Sequence, residues 1–243
     1  MSETVAAQST RLRRHEAAAE GTMAFHFEKP AGFEFKAGQA VEVLLADPAG
    51  GANDIGHAFS IVSAPFEDEL VFATRMRDSA YKKALKALAP GAEVRLDGPF
   101  GSLTLHNKRS RAAVFVAGGI GITPFMSILR QAAHDRLDQD LMLLYSNRRP
   151  EDAAFLEELQ ALERANPKFR LVATMTQMAG SARKWSGQTG MLDAATIRAA
   201  VSALPEAIFY LAGPPPMVAA LRATLAEAGI DDDDIRTEEF FGY

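Results

Sequence analysis

The residues best able to do chemistry gather around one run, Val114-Phe115-Val116-Ala117-Gly118-Gly119-Ile120-Gly121-Ile122-Thr123-Pro124, which reads as an apolar strand, a glycine turn and a helix start. Glycines let an anion approach backbone N–H groups at the positive end of a helix, so Gly118, Gly119 and Gly121 suit a pyrophosphate. The run equally suits a plain tight turn, and Pro124 stands where the usual dinucleotide fingerprint has its third glycine. Thr123 is placed to N-cap the helix and Pro124 to take its first position. The next apolar run ends in Ser146-Asn147-Arg148-Arg149. These are hydroxyl and guanidinium donors suited to a nucleotide 2′-phosphate, in place of the acid that would hold an unmodified ribose. Two arginines at a strand end also make an ordinary solvated cap. A third run, Ile208–Ala212, enters Gly213-Pro214-Pro215-Pro216-Met217, either a turn on the ligand side of an open sheet or a simple turn.

The elements that must position these groups differ between the two halves of the chain, which divide near His106–Arg111 into 1–108 and 109–243. In the first, β-rich runs such as Met23–Phe27, Ala40–Leu45 and Leu70–Thr74 alternate with Gly, Pro and Asp turns, the pattern of an antiparallel barrel or sandwich. One helix, Ala80–Leu88, interrupts them. In the second, strands at Ala112–Ala117, Leu141–Ser146, Leu171–Thr176 and Ile208–Ala212 alternate with helices from Pro124, from Glu151, near Asp193 and after Pro216. That repetition predicts an α/β unit with a doubly wound parallel sheet. Asp231–Asp234 reads as a surface connection.

Composition narrows the chemistry. The 243 residues are 48% hydrophobic and carry 26 basic against 31 acidic side chains, a net charge of −5 without the basic excess of a dedicated nucleic-acid binder. There is no cysteine, so disulfides, thiolate nucleophiles and cysteine-ligated zinc or iron–sulfur clusters are excluded, and no metal site is expected. Met1–Arg14 lacks a signal-like apolar segment and no run approaches the ~20 apolar residues of a membrane span. The expectation is a cytoplasmic protein acting away from membranes.

In their order along the chain these motifs resemble the ferredoxin–NADP reductase superfamily. Phe35-Lys36-Ala37-Gly38-Gln39 resembles its F-x-P-G-Q run, His57-Ala58-Phe59-Ser60 takes the place of its R-x-Y-S motif, and Gly98-Pro99-Phe100-Gly101 matches its G-P-x-G turn. Gly118–Pro124 resembles G-G-x-G-x-T-P, and Tyr210–Met217 resembles Y-x-C-G-P-P-x-M. The resemblance implies an FAD-binding antiparallel β-barrel followed by an NADP- or NAD-binding α/β domain, with hydride passing from the nicotinamide to flavin N5. It implies that Phe59 stacks on the isoalloxazine, that Ser60 hydrogen-bonds near N5, and that the segment Thr74-Arg75-Met76-Arg77-Asp78-Ser79-Ala80-Tyr81 serves the flavin phosphates. Within that segment Ser79 opens a helix whose N–H groups favour an anion. Three of the last four residues, Phe240, Phe241 and Tyr243, are aromatic, and the resemblance implies that one covers the flavin, Tyr243 being the first choice. Glu238 or Glu239 is the proton-handling carboxyl, with Glu239 preferred.

Two departures qualify the resemblance. His57 replaces the arginine that bridges the FAD pyrophosphate, which leaves FMN or weakly held FAD as alternatives. Ala212 replaces a cysteine beside the nicotinamide, and since the cofactors carry hydride transfer, altered positioning is expected rather than lost activity. Fused relatives carry an iron–sulfur domain with four cysteines. This chain has none, so the implied acceptor is a separate ferredoxin, flavodoxin, oxygenase component or small oxidant, a protein docking near Arg75, Arg77, Lys82, Lys83 and Lys86. A flavin- or nucleotide-binding sensor without turnover is the alternative function.

Overall fold

Strand-forming alternation begins earlier than the apolar runs suggest. In the computed structural model, which describes residues 7–47, 50–51, 53–204 and 206–241, β1 spans Gln8–Ala19, followed by β2 (Thr22–Glu28), β3 (Ala40–Leu45), β4 (Ile55–Ser60) and β5 (Glu69–Arg75). Helix α1 (Ala80–Ala87) and β6 (Glu93–Phe100) complete an antiparallel sheet of order β4-β3-β6-β1-β2-β5. An Ile61–Phe72 bridge joins its two edges, curling the sheet into the expected barrel. Alternate residues fill the inside: Leu12, Phe25, Phe27, Val41, Val43, Phe59, Phe72, Val94 and Leu96 form one buried cluster. Helix α1 is capped by Ser79, whose hydroxyl accepts from the Lys82 N–H, and the Tyr81 hydroxyl ties it to the barrel through the Val43 carbonyl at 2.7 Å.

The second unit contains β7 (Ala113–Gly118), α2 (Thr123–His134), β8 (Leu141–Asn147), α3 (Leu156–Ala165), β9 (Phe169–Met175), the short β10 (Gln188–Thr189), α4 (Ala194–Val201), β11 (Ile208–Gly213), α5 (Pro215–Glu227) and β12 (Ile235–Glu239). They make a parallel sheet of order β10-β9-β8-β7-β11-β12. Every residue of β7 and β11 is buried, as central strands covered on both faces require. The order reverses at β7, so the crevice at its carboxyl end is the ligand position of a doubly wound sheet.

Two local readings are corrected. Thr123 does not N-cap α2: a 3-10 turn at Gly119–Ile122 runs straight into the helix, Thr123 is already helical, and its hydroxyl donates back to the Ile120 carbonyl at 3.1 Å. No helix starts at Glu151. Pro150–Asp152 is a 3-10 turn held by Arg149, and Phe155, at φ 59°, separates it from α3.

The units are fastened along their seam. Ser127 of α2 donates to the Ser63 carbonyl at 2.7 Å, Arg130 holds Glu158 at 2.7 Å and Glu67 at 3.3 Å, and Phe66 stacks on His134 at 3.9 Å between centroids. On the opposite flank the Glu20 N–H donates to the Glu151 carbonyl, and Arg149 reaches Glu20 at 3.2 Å. The connecting segment is pinned through His106, whose backbone N–H donates to the Tyr210 hydroxyl at 2.9 Å.

Candidate functional site

Two cavities meet at the carboxyl end of β7, and Ile120 lines both. The smaller, about 250 Å³, is built from β4 of the barrel and the end of β12: His57, Ala58, Phe59 and Ser60 on one side, Glu238, Glu239, Phe240 and Phe241 on the other, with Thr123 at its floor. Phe59 is only 3% exposed, edge-on to His57 at 4.8 Å. Ser60 is buried, and its Oγ makes no hydrogen bond of normal geometry. A buried hydroxyl in that condition fits a polar ligand atom. Glu238 is near enough for Ser60 to draw its carboxyl down, but burial dominates and pushes it up to about 7. Strand alternation separates the two acids. Both acids line the cavity, Glu238 half-buried and the preferred Glu239 exposed, so the more buried carboxyl is that of Glu238. Phe241 is 69% exposed, and Tyr243 lies outside the described residues.

The larger cavity, about 540 Å³, is lined by Gly118, Gly119, Ser146, Asn147, Arg148, Pro214 and Met217, among others, bringing together the ends of β7, β8 and β11. The glycines are dictated by close approach. A Cβ on Gly121 would collide with the Ala212 carbonyl, and one on Gly118 with the Met217 thioether. Asn147 is 5% exposed with neither amide atom in a hydrogen bond of normal geometry, a second buried polar group that fits a ligand.

The arginine pair divides. Arg148 lines the cavity, while Arg149 does not. Arg149 donates to both carboxylate oxygens of Asp152 at 2.9 and 3.1 Å and pairs with Glu20, so it is structural, correcting the expectation that both meet a 2′-phosphate. Asp152, buried beneath it, is a site residue that sequence patterning missed.

The phosphate segment is redistributed as well. Arg75 and Arg77 line the larger cavity from the barrel side, Arg75 lying 3.8 Å from Asp152. Thr74 is fully buried and Met76 packs on the barrel core, and neither lines either of these two cavities. Ser79, Ala80 and Tyr81 form the start of α1, with the Tyr81 ring 5.4 Å from His57. Lys82, expected on a docking face, is 3% exposed and donates from Nζ to the Arg75 carbonyl at 2.9 Å, which removes it from any docking surface. Lys83 stays exposed, paired with Asp78. Among the described residues no cluster of His, Asp and Glu could hold a metal, and no helix is long and apolar enough to cross a membrane.

Comparison with known proteins agrees with this geometry. A family model described as the oxidoreductase NAD-binding domain matches residues 115–223. The chain is 34% identical over 172 residues to ferredoxin–NADP reductase B of Sorangium cellulosum, covering 69% of this chain and 68% of that protein. It is 28% identical to the glycine betaine monooxygenase reductase subunit of Chromohalobacter salexigens over 90% of this chain, but spans only 60% of that protein's length. A solved ferredoxin NADP+ reductase from Neisseria gonorrhoeae, with bound FAD and NADP, superposes with a TM-score of 0.80 at 24% identity, covering 98% of this chain and all of that one.

Proposed function

The chain belongs to the ferredoxin–NADP reductase superfamily, and from that premise we propose that it is an FAD-dependent NAD(P)H oxidoreductase delivering electrons to a separate acceptor. The barrel half, 1–108, takes the flavin and the half at 109–243 takes the nicotinamide nucleotide. The observation that carries this reading is the joining of the two cavities at Ile120, one framed by Phe59, Ser60 and Glu238 and the other by the glycine turn.

Both cofactors fit the residues present. Gly118 and Gly119 line the larger cavity, and the open space beside Gly119, at φ 52°, leaves its backbone accessible to a pyrophosphate, with the Asn147 amide on the same cavity wall. Phe59 offers a flat apolar face, and Ser60 a hydroxyl, to a ring system in the smaller cavity. Bound FAD supplies a hydride-accepting atom and the capacity to release electrons singly or in pairs.

The side chains do the rest. Ser60 orients the ring edge, and Phe240 and Phe241 cover it against water. Glu238, with a carboxyl balanced near neutrality, holds or releases a proton beside Ser60, the task for which a raised carboxyl suits general acid–base work. Arg148 meets a 2′-phosphate, favouring NADPH. The acceptor is a ferredoxin, a flavodoxin or an oxygenase component approaching near the exposed Lys83 and Lys86.

The test is anaerobic mixing of FAD-reconstituted protein with NADPH and with NADH while flavin absorbance is followed. The flavin bleaches within seconds, faster with NADPH. A protein that takes up FAD and is never bleached is a sensor rather than a reductase, and one that takes up no flavin ends the reading.

A further inference from the structure

Strand β8 carries a tyrosine whose hydroxyl is sealed in the core. Tyr145 is fully buried, and its Oη donates to the Gly119 carbonyl and to the Ala154 carbonyl, each at 3.1 Å. Register explains the reach: Tyr145 pairs with Ala117 across β7 and β8, two residues before Gly119. Burial pushes the phenol pKa up, with Asn147 and Ala154 only partly opposing it, so the hydroxyl keeps its proton and acts as a donor. A phenylalanine would fill the same space and leave both carbonyls without this donor.

The bond to Gly119 fixes more than one oxygen. Gly119 adopts φ 52° and has open space where a Cβ would stand, so no side chain of its own packs the turn in place. The peptide that joins it to Ile120 is trans, and a trans peptide points its N–H opposite to its C=O. Anchoring the Gly119 carbonyl on Tyr145 therefore turns the Ile120 N–H away from Tyr145. That N–H belongs to the start of the 3-10 turn at Gly119–Ile122, where the first donors have no partner within the turn. Gly119 and Ile120 both line the larger cavity.

We propose that Tyr145 is a positioning residue for the nicotinamide nucleotide: by anchoring the Gly119 carbonyl, its buried hydroxyl aims the Ile120 N–H into the larger cavity as a donor to the pyrophosphate. The proposal rests on the NAD(P)H reading above and adds to it a residue that acts only through the glycine turn. The same hydroxyl holds Ala154, which ties the turn to the segment between Asp152 and α3. Gly119 and Asp152, on the two sides of that tie, line the cavity together.

The test is Tyr145→Phe in the FAD-loaded full chain, with whichever of the NADP and NAD couples wild-type protein binds more tightly. Calorimetric titration with the oxidised nucleotide gives a Kd raised roughly tenfold, as when a bond to a charged group loses its aim. In anaerobic mixing with the reduced nucleotide, the concentration for half-maximal bleaching rises by the same factor. The limiting rate stays within about twofold, because uniform binding is lost and the hydride step is not. Benzyl-dihydronicotinamide, a hydride donor without a pyrophosphate, bleaches both proteins at equal rates. In isotope-labelled wild-type protein the Ile120 amide resonance moves downfield on adding the oxidised nucleotide, as an N–H gaining an anionic acceptor does, and this readout stands even where Tyr145→Phe does not fold. A variant Kd within about twofold of wild type, slowing with benzyl-dihydronicotinamide in step with the nucleotide, or an Ile120 resonance that stays in place overturns the assignment. Wild-type protein that neither NADPH nor NADH bleaches removes the reductase reading along with it, whereas normal wild-type bleaching and an unaltered Tyr145→Phe remove the role of Tyr145 alone.

Discussion

Replacing Glu238 by glutamine should stabilise the flavin-stripped protein, increasingly as the pH rises. Burial raises this carboxyl from 4.5 to about 7. Between those values the folded chain holds a proton that the unfolded chain has lost, so wild-type stability falls as pH rises through the window and levels off above 7. The whole displacement is worth about 3 kcal/mol, of which about 1 has accrued by about pH 5.5. Glutamine keeps the shape, cannot ionise and escapes the fall. The advantage of Glu238→Gln therefore widens by about 2 kcal/mol between about pH 5.5 and 8.5, read as a growing gap of roughly 4–8 °C in Tm for a chain of this size. Comparing the two pH values cancels any constant packing difference between the side chains. The assay is calorimetric or urea unfolding of both proteins at each pH. A gap that stays constant refutes the reasoning, since it would mean that Glu238 ionises as an ordinary solvated acid.

Arg148→Ala should raise KM for NADPH roughly tenfold to a hundredfold while NADH changes little, as loss of a charge-assisted contact predicts. Arg149→Ala should leave that preference unchanged and instead lower stability by about 3 kcal/mol, because Asp152, with 4% of its side chain exposed, loses its bidentate partner; steady-state kinetics and urea unfolding separate the two. Gly121→Ala should destabilise by about 2 kcal/mol or more and abolish bleaching by NADPH with flavin still bound, since its Cβ meets rigid backbone. Gly118→Ala should be milder, because the Met217 thioether can move. Charge reversal at Lys83 and Lys86 should slow reduction of a ferredoxin roughly threefold to tenfold at low salt and leave ferricyanide reduction unchanged; equal slowing of both acceptors would remove these lysines from docking.

The second unit was legible in the sequence because parallel strands buried on both faces write themselves as unbroken apolar runs, as in Val114–Ala117 and Ile208–Ala212. Strand β1 was not, because Gln8–Ala19 places charged side chains such as Arg11, Arg13 and Arg14 outward while few apolar ones face in. Site positions on backbone turns were readable, since glycine spacing states its own requirement. Side-chain pairing was not. Nothing in the order Arg148-Arg149 says that Asp152, three residues on, folds back to occupy the second guanidinium. Lys82 likewise reads as one of several solvated lysines until the helix is docked on the barrel. The choice between Glu238 and Glu239 turns on the phase of a strand whose partner, β11, is more than twenty residues away.

The bonds along the seam also decide where this molecule can yield. Ser127, Arg130 and Phe66 tie the two units on one flank, and Glu20, Arg149 and Glu151 tie them on the other. On the proposed reading, room for a second ring beside Ser60 comes from Phe240 and Phe241, which follow the edge strand β12 and line the same cavity. On the proposed reading, adjustment then falls to a few side chains after β12, while the contacts on both flanks hold the two cavities at one spacing.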